Sequence, residues 1–468
     1  MAYATNPVFL RQFKGLTSIM ALLLCTQLPA QGGGQPPNEV LRLDTGFVSA
    51  PMGDLDGDGV DEIIIGDMHY EQPNGSLVNN GIARVHSGAT GAVIYTKEGA
   101  NSWDNFGSAV SSAGDTNRDG IPDFIIGATG ASPNGLAGAG AAYLYSGADG
   151  ALIRMFPGAT AGGEFGWSVA GAGDVDKDNH DDVIIGDPYD LHFGGAVGSG
   201  VAEVYSGLDG TLMWQKIGAG DELVGYVVAA AGDVNNDGFA DVIISSPGWD
   251  NGANANQGKV QIYSGKDWAV FMDLQGSADS YFGQAVATGG DVNGDTADDL
   301  IIGEPLATPA SMGFVQTGAA YAYNLNGILL HTWTGENAGD QFGSSVALIA
   351  DLNGDFSDEC LVGSPLSDPN SLWDAGSAFL YSGIDGAQMH RWDGADFFIN
   401  LGSQVQSCSD LSGDGLEEFL ISTEKDYSTS LSGSTSAWSW EPDPYLTASA
   451  TNLSSARPAG LARPPSTV

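Results

Sequence analysis

This 468-residue chain contains the acidic sequence Asp-Leu-Asp-Gly-Asp-Gly-Val-Asp-Glu at residues 54–62, and the repetition of this sequence determines the fold. The same acidic nonamer recurs with its first residue at Asp115, Asp174, Asp233, Asp291, Asp351 and Asp410. The seven copies begin 58 to 61 residues apart. A fixed period of this length is typical of repeat architectures, in which each repeat is one supersecondary unit.

Within each nonamer, positions 1, 3, 5 and 9 carry side-chain oxygens, and position 7 can offer its backbone carbonyl. In a tight turn these groups converge on one point, and five hard oxygen ligands are typical of a calcium site. We therefore predict up to seven bound Ca²⁺ ions, one per repeat. The predicted ligands are Asp54, Asp56, Asp58, Val60, Glu62; Asp115, Asn117, Asp119, Ile121, Asp123; Asp174, Asp176, Asp178, His180, Asp182; Asp233, Asn235, Asp237, Phe239, Asp241; Asp291, Asn293, Asp295, Ala297, Asp299; Asp351, Asn353, Asp355, Ser357, Glu359; and Asp410, Ser412, Asp414, Leu416, Glu418.

These loops differ from EF-hands, because the twelfth position of the first is Ile65 and the flanking runs are strand-like. The alternative is a set of solvated Asp-Gly turns, but several carboxylates in one turn repel one another without a cation. Position 6 favours a left-handed backbone, which Thr296 and Phe356 adopt poorly. We expect the fifth, sixth and seventh loops to bind least tightly or to use a different turn.

Around each acidic loop, four short runs of β-type residues alternate with turn residues. One repeat shows Phe106-Gly107 before its loop, then Phe124 to Gly127, Ala141 to Tyr145 and Leu152 to Met155. Four strands per repeat predict an all-β fold, a seven-bladed β-propeller of four-stranded blades. The run at 39–43 has the place of a fourth strand, so it is predicted to pair into the last blade and close the ring. A linear solenoid is the alternative.

The Phe-Gly pairs, the acidic loops and the Gly-x-Pro endings, such as Gly186-Asp187-Pro188, resemble the FG-GAP repeat of integrin alpha subunits. The resemblance covers residues 39–444. It implies a seven-bladed propeller with calcium in the loop between first and second strands, and a role in adhesion, in glycan binding or beside an enzyme. The chain departs from integrins because all seven repeats carry the loop pattern, and we expect no stalk domains after the propeller.

The two ends of the chain have different compositions from the repeats. Residues 1–30 are predicted to be a secretory signal, with an uncleaved anchor as the alternative, and 31–38 a flexible linker. Residues 39–444 form the propeller and 445–468 a disordered tail. Outside the signal, Cys360 and Cys408 are expected to be small buried residues, or else one disulfide.

The charge balance narrows the possible partners. Fifty-eight Asp and Glu oppose fifteen Lys and Arg, which gives a net charge of −43. Nucleic acid and anionic membrane surfaces are therefore excluded as expected partners. The nonamers hold 28 of the acids, so much of the acidity is gathered in ion-binding turns. We expect a secreted or cell-surface protein, and a monomer whose mature chain does not insert into a membrane.

The longer loops on the face opposite the acidic loops carry aromatic residues that a partner can contact. The candidate ligand residues are Tyr70, Trp103, Tyr189, Trp249 and Trp373, although each can instead cap its own loop. No catalytic constellation is evident, since the six His are scattered and no Gly-x-Ser-x-Gly elbow occurs. The predicted function is a non-catalytic binding or adhesion module for a protein or glycan. A polysaccharide lyase or hydrolase, or a lectin, is the alternative.

Overall fold

The structure is a computed structural model that describes residues 38–43, 48–190, 198–252, 255–309, 316–411, 416–423 and 434–439. For the first and last of these ranges it describes the backbone alone. The predicted signal at 1–30, nearly all of the linker and the tail at 445–468 lie outside the described residues. So do Ser412 and Asp414 of the seventh acidic loop. Within the described residues, no helix is long and apolar enough to cross a membrane.

Six sheets are each built from four consecutive antiparallel strands, and we number them blades 1 to 6. Blades 1 to 3 comprise β2–β5 (Val48–Pro51, Ile63–Asp67, Ile82–His86, Val93–Glu98), β6–β9 (Phe106–Gly114, Asp123–Ala128, Ala141–Tyr145, Leu152–Pro157) and β10–β13 (Ser168–Gly173, Asp182–Asp187, Val201–Tyr205, Leu212–Ile217). Blades 4 to 6 comprise β14–β17 (Val228–Gly232, Asp241–Ser246, Lys259–Tyr263, Val270–Gln275), β18–β21 (Ala285–Gly290, Asp299–Glu304, Ala319–Asn324, Leu329–Thr334) and β22–β25 (Ser345–Ile349, Glu359–Ser364, Ser377–Tyr381, Gln388–Asp393).

The remaining sheet joins the two ends of the chain. Its order is β26 (Val405–Cys408), β27 (Glu418–Thr423), β28 (Ser434–Ser439) and β1 (Asn38–Leu43), and β1 pairs antiparallel to β28. The predicted count of seven blades is corrected accordingly: counted as sheets of four consecutive strands, the blades number six. The physical reason is that the seventh repeat supplies three strands and leaves an open edge, which β1 covers. We call this the composite sheet.

The hydrophobic core lies between neighbouring sheets. The second strand of a blade is buried on both faces, and its apolar residues contact the strands of the next blade. For example, Ile64 and Val85 of blade 1 pack with Phe124 and Ile126 of blade 2. The composite sheet follows the same rule, because Cys408 and Leu420 pack against Ile63 and Ile65 of blade 1, on one side of it. Cys360 and Cys408 are both buried free thiols, which confirms the first expectation for them and not the disulfide.

A Phe-Gly pair, or Val224-Gly225 and Leu401-Gly402 in its place, joins one blade to the next. In blade 3, Phe165 is buried and forms a parallel bridge with Gly140, which precedes the third strand of blade 2. The following glycine, Gly166, has φ +86° and brings its backbone carbonyl against Gly127 of blade 2. A Cβ on Gly127 would lie 2.0 Å from that oxygen. The same contact recurs between Gly66 and Gly107, Gly186 and Gly225, Gly303 and Gly343, and Gly363 and Gly402.

This contact predicts that Gly303→Ala destabilises the protein. The added methyl group would lie 1.9 Å from the Gly343 carbonyl oxygen, so the two blades must separate. Overpacking of this kind costs about 1–3 kcal/mol of unfolding free energy. Denaturant unfolding measures the loss. The control is Ser245→Ala in blade 4, where a Cβ already occupies the equivalent place; equal stability of Gly303→Ala and wild type would contradict the prediction.

Candidate cation sites in the acidic loops

The nonamers lie where the sequence places them, between the first and second strands, and we number them loops 1 to 7 in chain order. In each of loops 1 to 6, the position-1 Asp accepts the backbone N–H of position 6. In loop 2, for example, Asp115 Oδ2 accepts from Gly120 at 2.8 Å, and Asp115 Oδ1 accepts from Asp119 at 3.0 Å. The position-1 carboxylate therefore organises the turn from inside.

Positions 5 and 9 complete this arrangement. The position-5 carboxylate accepts the N–H of position 7, as in Asp58 to Val60 at 2.9 Å. The same bond involves each predicted position-7 residue in loops 2 to 6, namely Ile121, His180, Phe239, Ala297 and Ser357. The position-9 carboxylate accepts the N–H of position 2, as in Glu359 to Leu352 at 2.7 Å. This last bond recurs in all seven loops, including Glu418 to Leu411 in loop 7.

Every position-9 carboxylate is fully buried. Its exposed fraction is 0% for Glu62, Asp123, Asp182, Asp241, Asp299, Glu359 and Glu418. Burial raises the pKa of Glu62, Asp182 and Asp299 to about 7, and that of Glu359 to about 8. In loop 1, one oxygen of Glu62, Oε1, has no hydrogen-bond partner. A buried, incompletely bonded carboxylate is costly unless a proton or a cation accompanies it.

In three loops the carboxylates already converge. Ligand oxygens lie within 4.8 Å of one another in the sets Asp54, Asp56, Asp58; Asp174, Asp176, Asp182; and Asp351, Asp355, Glu359. Loops 2, 4 and 5 are different, because position 3 is an Asn whose Nδ2 donates to the position-9 carboxylate. These bonds join Asn117 to Asp123, Asn235 to Asp241 and Asn293 to Asp299. Loop 6 has the same amide bond, from Asn353 to Glu359, beside its converged acids.

The expectation of a different turn in loops 5 and 6 is wrong. Thr296 and Phe356 adopt φ +68° and +71°, the same left-handed conformation as the position-6 glycines Gly59 and Gly120. The two hydrogen bonds to the position-1 carboxylate hold them there, at a cost of roughly 1–2 kcal/mol for a residue with a Cβ. Phe356 is 85% exposed as a result. In loop 7, Asp410, Leu416 and Glu418 are described, whereas Ser412 and Asp414 are not.

Neighbouring loops are linked through position 8, which sequence reasoning missed. Asp181 of loop 3 accepts the backbone N–H of Asp115 in loop 2, at 2.8 Å. Asp358 of loop 6 accepts the N–H of Asp291 in loop 5, at 2.7 Å. In addition, a ring nitrogen of His180, at position 7 of loop 3, lies 2.7 Å from the Thr116 carbonyl oxygen of loop 2. The acid that directly precedes position 9, in Asp181-Asp182 and in Asp358-Glu359, was the available signal.

Two lysine side chains lie close to loop 4. Lys177 of loop 3 donates from Nζ to the Asp237 carbonyl oxygen at 3.3 Å and lies 4.0 Å from the centre of the Phe239 ring. Lys266 Nζ lies 3.9 Å from Asp237 Oδ2, which also accepts from Ser264 Oγ at 3.3 Å. One ammonium group therefore lies beside the Asp237 carboxylate and a second beside the Asp237 backbone carbonyl, where a calcium ion would need negative charge.

The five aromatic candidates on the opposite face divide into two groups. Trp103 and Trp373 are 60% and 65% exposed. Tyr70, Tyr189 and Trp249 are half-buried against other side chains. Arg84 lies over the Tyr70 ring, Trp167 packs edge-on to Tyr189, and Lys259 Nζ lies 4.8 Å from the Trp249 ring centre.

Comparison with known proteins identifies the repeat. The family model described as "FG-GAP repeat" matches residues 106–145, 224–263 and 282–323, which hold the acidic loops and first three strands of blades 2, 4 and 5. The chain contains FG-GAP repeats. The resemblance that the Phe-Gly pairs and acidic loops indicated is therefore confirmed.

Individual relatives match parts of this chain. Integrin alpha-5 of Xenopus laevis is 32% identical over 229 residues, which are 45% of this chain and 21% of that protein. Integrin alpha-V of Gallus gallus is 27% identical over 262 residues, 52% of this chain and 24% of that protein. Phosphatidylinositol-glycan-specific phospholipase D of Bos taurus is 26% identical over 370 residues, 69% of this chain and 43% of that protein. The chain thus spans less than half the length of each.

The buried position-9 acids predict an unusual pH dependence for calcium-free protein. Burial raises the pKa of Glu62, Asp182 and Asp299 to about 7 and that of Glu359 to about 8, so the folded state holds protons that the unfolded state releases. The contribution of these four acids to stability is therefore fully present below about pH 4 and is lost as the pH rises through about 7 to 8. In chelator, denaturant unfolding should require more denaturant at pH 5 than at pH 8.

The control for this pH dependence is the double variant Glu62→Gln/Glu359→Gln, which removes two of the raised pKa values. Its difference in unfolding free energy between pH 5 and pH 8 should be smaller than that of wild type. A calcium-free protein that is more stable at pH 8, or a double variant with an unchanged pH dependence, would contradict the assignment.

The lysines beside loop 4 predict that Lys177→Gln/Lys266→Gln binds calcium more tightly at that loop. Removing partly exposed charge pairs of this kind changes free energies by about 0.2–1 kcal/mol per pair, so we expect a several-fold gain in affinity. A calcium titration followed by calorimetry measures it. Lys216→Gln, on β13 of blade 3, is the control. If the double variant binds calcium with the same affinity as wild type, the two lysines do not weaken calcium binding at loop 4.

Proposed function

We propose that this FG-GAP chain is a calcium-stabilised binding module that acts outside the cell on a protein or glycan partner. The observation that carries the proposal is the repeated acidic loop, with a buried position-9 carboxylate in every copy and converged carboxylates in loops 1, 3 and 6. Oxygen-only ligand sets favour Ca²⁺, and extracellular calcium is concentrated enough for the weaker class of sites.

The calcium sites would stabilise the scaffold and leave the opposite face for a partner. In loops 2, 3 and 4 the hairpin turn after the third strand donates an N–H to the position-9 carboxylate, as Gly207 does to Asp182 at 3.0 Å. An ion at such a loop would thus connect first, second, third and fourth strands of one blade. We propose that loops 1, 3 and 6 bind calcium most tightly, and loop 4 least.

The proposed docking face is the one with the longer loops, opposite the acidic loops. Trp103 and Trp373 are the exposed aromatic residues among the five candidates, and large aromatic side chains are enriched in binding hot spots. The other three candidates would stabilise their own loops, and each would expose only one edge or face of its ring to a partner; they are Tyr70, Tyr189 and Trp249. The strongly negative chain favours a neutral or basic partner over an anionic one.

We further propose that residues 1–30 are a secretory signal, 31–38 a linker, 39–444 the propeller and 445–468 a tail, and that the mature chain is a secreted or surface-associated monomer. The integrin alpha relatives support a protein partner, whereas a carbohydrate partner rests on the exposed tryptophans.

A second candidate function is enzymatic. The similarity to phosphatidylinositol-glycan-specific phospholipase D extends over 69% of this chain, so hydrolysis of a phosphatidylinositol glycan is the activity to assay. Because the match covers 43% of that phospholipase, it is also consistent with a non-catalytic propeller that both proteins share. Turnover on that substrate, or on polysaccharides, would favour the enzyme.

The binding proposal is tested on a printed glycan array together with a panel of extracellular matrix proteins. Calcium-loaded protein should bind at least one of them, and Trp103→Ala or Trp373→Ala should reduce that binding by about 1–2 kcal/mol, or 5- to 30-fold. Leu208→Ala is the control, since Leu208 is 54% exposed on a hairpin turn beside the acidic loops. Equal binding by all three variants would refute the proposed face, and substrate turnover would refute the non-catalytic role.

A further inference from the structure

Two pairs of neighbouring acidic loops are each joined by a double hydrogen bond between residues at fixed positions. Asp181 of loop 3 accepts the backbone N–H of Asp115 in loop 2, and its own N–H donates to the Asp115 carbonyl oxygen at 3.3 Å. Asp358 of loop 6 is joined to Asp291 of loop 5 in the same way, and its N–H donates at 2.8 Å. Both links therefore run from position 8 of one loop to position 1 of the preceding loop.

The linking acid is directly next to a predicted calcium ligand of its own loop. The two sequence pairs are Asp181-Asp182 and Asp358-Glu359, and the second member of each is a buried position-9 acid. Asp358 also accepts the backbone N–H of Asp351, so one carboxylate contacts position 1 of both loop 5 and loop 6. An ion that fixes the position-9 carboxylate of one loop thereby also restrains the acid that holds the preceding loop.

The glycine before position 1 provides the space for this acid. Gly114 has φ +70°, and a Cβ on it would collide with the Asp181 carboxylate. A Cβ on Gly290 would lie 3.0 Å from Asp358 Oδ2. In contrast, a Cβ on Gly232, which precedes loop 4, would meet no atom within 4 Å. Position 8 of the following loop thus approaches loops 2 and 5 closely, but does not approach loop 4 in this way.

Three other junctions between loops differ at position 8. In loop 2 this residue is Pro122, which has neither a carboxylate nor an N–H. In loop 4 it is Ala240, whose N–H donates to the Asp174 carbonyl oxygen at 3.3 Å without a carboxylate beside it. In loop 7 it is Glu417, which accepts the N–H of Ala350, one residue before loop 6 begins. The link therefore depends on the residue at position 8 and does not follow from the repeat alone.

Each linked pair combines two loops with different ligand arrangements. Loops 3 and 6 are among the described loops whose carboxylate oxygens lie within 4.8 Å of one another. In loops 2 and 5, position 3 is an Asn that donates to the position-9 acid. The loop with fewer converged acids is thus held by the loop with more of them. A carboxylate between two loops also reduces the repulsion between two bound cations.

We propose that loops 2 and 3, and loops 5 and 6, bind calcium as coupled pairs, with Asp181 and Asp358 as the positioning residues that connect them. The coupling rests on the calcium binding of the proposed function. Loops 3 and 6 fill first, because their carboxylates already converge, and their ions then restrain Asp115 and Asp291 for the next ion. Coupling is reciprocal, so an ion in loop 2 strengthens binding in loop 3 by the same factor, typically about 5- to 150-fold.

A double-mutant cycle on the intact chain tests the coupling. Asp119→Asn weakens loop 2 and Asp178→Asn weakens loop 3, and each Asn oxygen can still accept the backbone N–H that the carboxylate accepts, from Ile121 or His180. Scanning calorimetry measures the rise in melting temperature on calcium addition. Because the loss of one ion already weakens the other, the double variant should lose clearly less of this rise than the two single losses added together.

Two further measurements serve as controls. Asp119→Asn combined with Asp355→Asn of loop 6, which is not a neighbour of loop 2, should give losses that add. In an Asp181→Ala background, which has the side chain found at this position in loop 4, the cycle for loops 2 and 3 should become additive.

Additive losses for loops 2 and 3 in the otherwise wild-type chain would overturn the coupling. A cycle that stays equally non-additive with Asp181→Ala would overturn the role of this carboxylate. The coupling and the proposed function fail differently. If calcium does not raise the melting temperature of wild type, calcium binding itself is refuted. A clear rise with additive losses refutes the coupling alone.

Discussion

Each described acidic loop is organised around two carboxylates of its own sequence, and one of them is buried completely. Asp174 in loop 3 accepts the N–H groups of positions 5 and 6, and Asp182 accepts that of position 2. These bonds shape the turn between the first and second strands, but they leave negative charge inside the protein. The turn that starts every second strand is therefore also the place where the chain needs a cation or a proton. Burial of this negative charge also raises the pKa of Asp182 and of Glu359.

A second constraint fixes how the blades meet. The glycine near the end of the second strand touches the carbonyl of the Phe-Gly glycine in the next blade, as Gly127 does with Gly166. This backbone contact leaves no room for a Cβ on Gly127. The buried Phe165, directly before Gly166, packs at the same junction. The composite sheet then closes the array by pairing β1 with β28. Together these contacts give a scaffold with the acidic turns on one face and the longer loops on the other.

Much of this organisation was predictable, because it repeats. Seven spaced nonamers fixed the positions of the loops, and alternating β-type runs fixed four strands per repeat. Other features depended on three-dimensional context. Phe356 keeps the left-handed turn despite its side chain, since the Asp351 carboxylate holds its N–H. Trp249 is covered by Lys259 from a neighbouring strand. The lysines at loop 4 come from separate segments, so sequence spacing does not reveal them. The count of blades changed because the seventh repeat lacks a strand of its own.

Scanning calorimetry of the chelated protein at pH 7.5, before and after calcium is restored, measures whether the acidic loops take up calcium. We expect a clear rise in melting temperature on calcium addition, because ions neutralise the buried and converged carboxylates of the loops. The triple variant Asp54→Asn/Asp174→Asn/Asp351→Asn should lose most of this rise. An identical melting temperature of wild type with and without calcium would show that the loops are not calcium sites.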